Sequence, residues 1–174
     1  MIVWLNGTFG AGKTTTSREL VQLLPDAKIF DAEEVGFMLG RLRCLPPKGD
    51  FQHWKPWRGL VVDTAVHLLD DLGGTLVIPQ TVLVEQYWTE IRTGLEKAAV
   101  PLHHFVLHTD EDTLTHRIET DSVEAVARQW RLDHLSHYRT SFPWLSREAT
   151  VVNTTGVPPA QVAQTIADTV AQHG

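Results

Sequence analysis

A single cysteine, Cys44, excludes an intrachain disulfide and any cysteine-based zinc site. No apolar run approaches the roughly 20 residues that a membrane-spanning helix needs. Positive charge is also scarce. Lys and Arg total 15 against 21 Asp and Glu, for a formal net charge of −6. That balance argues against a nucleic-acid scaffold, which concentrates basic side chains against phosphate. Strand-like residues begin at Ile2 and leave no room for a secretion signal. Together these absences point to a reducing cytoplasm. No internal repeat, linker or low-complexity segment divides the chain, so its 174 residues read as one domain over 1–174 with a sizeable single core. Hydrophobic residues at 43% and charged residues at 21% are ordinary for a globular protein.

Against this plain background one motif stands out. Gly7-Thr8-Phe9-Gly10-Ala11-Gly12-Lys13-Thr14 is a complete G-x-x-x-x-G-K-[ST] phosphate-binding loop, with Thr15 following it. It comes directly after the strand-like run Ile2 to Asn6 and directly before a helical pattern over 15–24 that carries Leu20, Leu23 and Leu24 on one face. Gly7, Gly10 and Gly12 let the backbone approach an anion, and successive N–H groups then point inward at the positive end of a helix. Lys13 would reach the β- and γ-phosphates, and the Thr14 hydroxyl would ligate Mg²⁺. The chain is therefore expected to bind a nucleoside triphosphate.

Strand and helix patterns alternate along the rest of the chain. Strands are predicted at 28–31, 75–79, 102–107 and 150–153. Between them lie helical patterns marked by Val35, Met38, Leu39 and Leu42; by Leu60 to Leu69, closed by Gly73-Gly74; by Trp88, Ile91 and Leu95; over 110–118; and over 124–141. Pro158-Pro159 opens a last helix carrying Val162, Ile166 and Val170, and it lacks the basic face of a membrane-surface helix. Residues 43–56, with Pro46, Pro47 and Pro56, read as a loop. Alternation of this kind predicts an α/β fold, a five-stranded parallel sheet with helices on both faces.

Two further absences narrow the class. The third strand ends in Pro79-Gln80-Thr81 with no acid to hold Mg²⁺, and no Asn-Lys-x-Asp guanine motif occurs. What remains is a compact nucleoside-kinase-like plan with an acceptor region over about 43–58 and an Arg-bearing lid over about 117–139. Arg117, Arg128, Arg131 and Arg139 lie between the fourth and fifth strands. Arg128 and Arg131 share a helix face and would neutralise transferring charge beside Lys13; Arg117 would sit at the nucleotide. A solvated helix edge pairing with Glu124 and Asp133 is the plainer alternative.

Asp31, at the end of the second strand, sits where open α/β sheets place ligand groups, and could take the proton of an acceptor hydroxyl. Asp31-Ala32-Glu33-Glu34 is equally a capping-box pattern, and a committed cap is a poorer base. The aromatic stretch around Phe51, His53, Trp54 and Trp57 suggests a wall for the acceptor, or an anchor that fastens a long loop. Gln80, Thr81 and Glu85 would face the same crevice, although Glu85 reads equally as a solvated helix residue. Among nine histidines, His134 and His137 are three apart on a helix, and His103-His104 are adjacent in a strand and point to opposite faces. No zinc site is predicted from them.

With these residues assembled, the chain resembles the tunicamycin-resistance family of small phosphate-loop proteins. The likeness rests on Ile2 to Thr15, Phe30-Asp31-Ala32-Glu33-Glu34-Val35-Gly36, Asp50-Phe51-Gln52-His53-Trp54, Pro79-Gln80-Thr81 and Trp130-Arg131-Leu132-Asp133-His134. It implies ATP binding and protection against a uridine-containing nucleoside antibiotic. A looser similarity joins the chain to chloramphenicol phosphotransferases and shikimate kinases, in which an acid at the place of Asp31 serves the acceptor hydroxyl. The leading expectation is an Mg-ATP-dependent phosphotransferase acting on a small-molecule hydroxyl. An ATP-gated protein that only sequesters the drug and a metabolic nucleoside monophosphate kinase are the alternatives.

Overall fold

The computed structural model describes residues 1–121 and 125–173. Five parallel strands form one sheet in the order β2-β3-β1-β4-β5: β1 (Ile2–Asn6), β2 (Ala27–Ile29), β3 (Thr75–Ile78), β4 (Leu102–His108) and β5 (Thr150–Asn153). β1 lies at the centre, with Ile2 registered against Leu76 on one side and Leu102 on the other. Every β1 residue is buried, which explains its unbroken apolar run: a parallel strand covered on both faces has no solvent side to alternate with.

Among the described residues seven α-helices supply the cover: α1 (Lys13–Leu23), α2 (Glu33–Arg41), α3 (Lys55–Leu72), α4 (Glu85–Lys97), α5 (Glu111–Thr120), α6 (Arg128–Glu148) and α7 (Pro159–His173). α1 packs on α7, α3 on α4, and α4 also touches α6. The 3.6-residue periodicity proves sound for α4, which buries Trp88, Ile91 and Leu95, and for α7, which buries Val162, Ile166 and Val170. Trp4 meets Trp88 edge-on at 5.2 Å, and His104 stacks on Trp88 at 3.8 Å. Burial takes the His104 imidazole down to about 3, so this strand histidine is a neutral core residue.

Several boundaries differ from the sequence reading. The second strand stops at Ile29, so Asp31 lies beyond it. Met38 and Leu42 are exposed because α2 buries Val35, Gly36 and Leu39 instead. The predicted loop over 43–56 ends early: Phe51–His53 forms a 3-10 turn, and α3 begins at Lys55 with Pro56 in its first turn, where a missing N–H costs nothing. The helix predicted over 124–141 runs on to Glu148 through Pro143, whose missing donor falls on an exposed face. Glu124 lies outside the described residues. No helix among the described residues is long and apolar enough to cross a membrane.

Candidate nucleotide and acceptor site

Asn6 closes β1 with a side chain that fastens three segments together. Its Oδ1 accepts from the backbone N–H groups of Gly7 at 2.8 Å and Val82 at 2.9 Å, and its Nδ2 donates to the Val82 carbonyl at 3.0 Å. The Thr81 hydroxyl donates to the Gly7 carbonyl at 2.7 Å, so the start of the phosphate loop is tied to the end of β3. At Gly7 (φ 131°) an added Cβ would lie 2.6 Å from the Leu107 carbonyl oxygen; only glycine fits. The loop then enters α1 through Gly12 in the left-handed conformation.

A cavity of about 710 Å³ opens at the carboxyl ends of the strands, where open α/β sheets bind ligands. The loop residues Phe9 to Thr15 form its floor. Lys13 folds back, its ammonium donating to the carbonyls of Gly7 at 3.1 Å and Thr8 at 2.9 Å. Burial pulls that ammonium down to about 8; the carboxylate of Glu33 acts in the opposite direction, and the nearby Arg131 adds to the depression. A cavity that disfavours its own cation has room for anionic charge.

Arg117, from α5, donates to the carbonyls of Gly10 at 3.1 Å and Thr154 at 3.2 Å, bridging the phosphate loop and the turn after β5. Arg131, on α6, is buried; one guanidinium nitrogen meets Asp121 at 2.7 Å while its Nε has no partner. Phe9 links loop and lid, its ring 4.9 Å from Trp130 and 5.6 Å from His134, with the Arg131 guanidinium 5.9 Å above it. Of the four predicted arginines, Arg117 and Arg131 therefore line the cavity. Arg128 is exposed outside its lining, and Arg139 reaches Glu111 at 3.5 Å on another face of α6.

The acceptor side divides in the same way. Phe51, Gln80 and Thr81 line the cavity, and Gln80 is buried with its Oε1 unpartnered. Asp31, His53, Trp54 and Glu85 do not line it. The Asp31 carboxylate accepts from the Glu33 N–H at 2.9 Å just ahead of α2, whose N-cap position falls on Ala32 rather than on Asp31. Trp54 donates to the Pro46 carbonyl at 2.8 Å, fastening the proline loop, and His53 pairs with the Tyr87 hydroxyl at 3.0 Å. Glu85 meets Arg147 at 3.6 Å in solvent. Of the acids that follow β2, the one that lines the cavity is Glu33, two residues beyond Asp31. The sequence contained a signal for it, three acids in four residues after β2, but only the path of the chain out of the sheet decides which one turns inward. Phe37, Asp50, Gln52, Asp121 and Trp130 also line the cavity without having been singled out as ligands. Among the described residues no cluster of three metal-ligating side chains occurs.

This arrangement defines a phosphate-loop protein with a kinase-like fold. The chain belongs to the AAA domain family, whose model matches residues 2–142. It is similar over its whole length to the tunicamycin resistance protein of Deinococcus radiodurans, at 27% identity and a TM-score of 0.74, covering 98% of this chain and 95% of that one. The resemblance drawn from the sequence motifs is thereby shown. The fold is shared with a shikimate kinase from Acinetobacter baumannii (16% identity, TM-score 0.67, 99% and 93% covered). It is shared too with the APS kinase of Mycobacterium tuberculosis, solved with AMPPNP and APS (16% identity, TM-score 0.63, 98% and 96% covered). No curated protein sequence matches the chain.

The family and fold imply a bound nucleotide, typically with Mg²⁺. The residues present fit both. The glycine backbone leaves a cradle, Lys13 and Arg131 offer cationic donors with Arg131 Nε unpaired, and the exposed Thr14 hydroxyl lines the cavity where a cation beside phosphate would sit.

Proposed function

We propose that the protein transfers a phosphoryl group from Mg-ATP to a hydroxyl of a small acceptor, a nucleoside antibiotic of the tunicamycin type, in the cytoplasm. The observation that carries this reading is the convergence of Lys13, Arg131 and Glu33 on one cavity beside the phosphate loop. The free, exposed thiol of Cys44 supports the compartment, as does the lack of a membrane-crossing helix among the described residues.

The backbone N–H groups of the loop from Phe9 to Thr15 hold the phosphates, the Gly7 N–H being taken by Asn6, and Arg117 fixes the loop against the turn at Thr154, near which the adenine would lie. When bound, Mg-ATP supplies the γ-phosphoryl group and a cation that Thr14 ligates. Lys13 leaves the carbonyls of Gly7 and Thr8 to meet phosphate oxygens, and Arg131, steered by Asp121, approaches from the lid. Both neutralise charge on the transferring group, which is where phosphoryl transfer gains most of its rate. Glu33 accepts the proton of the acceptor hydroxyl as its oxygen bonds to phosphorus and the bond to the leaving ADP oxygen breaks. Gln80 Oε1 takes a hydrogen bond from the acceptor, whose ring lies against Phe51. Arg131 fills the role for which Arg128 was the other candidate, and Glu33 the role first considered for Asp31.

The test incubates the protein with Mg-ATP and tunicamycin and reads the drug by mass spectrometry. A gain of one phosphoryl group, lost in Glu33→Gln, is the expected result. Tight drug binding with an unchanged drug mass would replace transfer by sequestration. Transfer to nucleoside monophosphates in preference to the drug would make the protein a metabolic kinase.

A further inference from the structure

A second cavity, of about 270 Å³, lies between α5 and α6 at the end of β4, apart from the nucleotide and acceptor site. Its walls are Leu114 from α5 and Leu135, Tyr138 and Phe142 from α6, with His108 from the last position of β4. Three of these side chains form a polar and aromatic edge. His108 stacks on Phe142 at 4.4 Å, and its Nδ1 pairs with the Tyr138 hydroxyl at 2.9 Å.

The chemistry of the lining restricts the occupant. An apolar protein cavity of about 150 Å³ is enough to take up benzene, so the larger space here suits one or two rings. Charge is not called for. Glu111 and Arg139 at the rim already face each other at 3.5 Å. The Asp110 carboxylate accepts from both the N–H and the hydroxyl of Thr113. Burial lowers the His108 imidazole and raises the Tyr138 phenol, so both groups are neutral near pH 7. What the wall offers is a neutral hydrogen-bonding pair beside an aromatic face.

Position gives such an occupant leverage. Leu114 lies three residues before Arg117 on α5, and Leu135 lies four residues after Arg131 on α6. The cavity walls are thus the adjoining turns of the two helices that deliver the arginines of the phosphate site.

We infer that the α5–α6 cavity is a second small-molecule site. It takes a neutral one- or two-ring aromatic bearing a hydroxyl or ring N–H, and its occupancy is transmitted to the nucleotide through Leu114–Arg117 and Leu135–Arg131. The site does not depend on the identity of the acceptor.

The test titrates phenol and benzene into isotopically labelled protein and follows amide shifts. Saturable phenol binding centred on residues 108–114 and 135–142 is expected, several-fold tighter than benzene. Leu135→Trp, which fills the space, should weaken phenol at least about tenfold, and Tyr138→Phe should erase the preference over benzene. Leu114→Phe replaces Leu135→Trp if the latter fails to fold. Linkage requires saturating phenol to change AMPPNP affinity by the factor by which AMPPNP changes phenol affinity, about twofold or more. No saturation, binding unaltered by the filling variants, or mutually exclusive displacement by AMPPNP would overturn the site. Binding with unchanged AMPPNP affinity would overturn the coupling. Absence of AMPPNP binding altogether would count against the nucleotide reading, while the phenol titration would still decide the cavity.

Discussion

Lys13 carries two signals at once, a position in a motif and a depressed ammonium. In the nucleotide-free protein burial holds it at about 8, and phosphate oxygens would raise it again. Nucleotide binding therefore takes up a proton above pH 8, and affinity falls as pH rises, by up to about tenfold per unit until the pKa of the complex is reached. Calorimetry at pH 9 in two buffers of different ionisation enthalpy should report that proton, and Lys13→Met should abolish it. Asp31 and Glu33, after β2, separate just as clearly. Glu33→Gln should lower transfer by about 10²–10⁴ and leave nucleotide affinity intact. Asp31→Asn keeps an acceptor for the Glu33 N–H and should do little to either; Asp31→Ala costs about 1 kcal/mol of stability, read from denaturant unfolding, with transfer retained. Loss of transfer in Asp31→Asn with retention in Glu33→Gln would reverse these roles.

At the scale of elements, the acceptor wall depends on a contact between α2 and the 3-10 turn. A Cβ on Gly36 would lie 2.6 Å from Cγ of Phe51, whose ring also meets Trp57 at 5.1 Å. The turn is held from behind by Arg58, which donates to the Gln52 carbonyl, pairs with Glu90 at 2.7 Å and covers the Tyr87 ring at 4.1 Å. Gly36→Ala should therefore displace Phe51, costing about 1–3 kcal/mol and weakening acceptor binding more than AMPPNP binding. Equal loss of both would show that the displacement spreads beyond this wall. Local pattern made α4 and α7 legible in sequence, because each has one buried face at helical spacing. It left two readings open for the region around 51–58, whose aromatics face in several directions. Trp57 is fully buried and donates to the Ala32 carbonyl, Trp54 fastens a loop, and Phe51 alone among the three lines the cavity.

For the whole molecule, the phosphate loop, β3 and the turn after β5 are cross-linked through Asn6, Thr81 and Arg117. A chain cross-linked this way should melt in one transition, with near- and far-ultraviolet circular dichroism coinciding. Two separated transitions would divide the lid from the sheet. Mg-AMPPNP at about 100 times its dissociation constant should add about 2.7 kcal/mol and raise Tm by about 5–10 °C. A Tm insensitive to the nucleotide would count against the site as a whole.

The nucleotide loop, the alternating α/β order and the buried faces of α4 and α7 were determined by the sequence alone, because each depends on neighbours within a few residues: glycines that free the backbone, a period that buries one face, a proline or glycine that ends it. The partners of those residues were not. Whether Asp31 or Glu33 turns inward depends on how the chain leaves β2. Which arginine reaches the cavity depends on the rotation of α6 against α5, and Arg131 finds Asp121 only when those helices pack. Such choices are made by contacts between distant segments, each with several equivalent candidates in sequence, and only the tertiary packing chose among them.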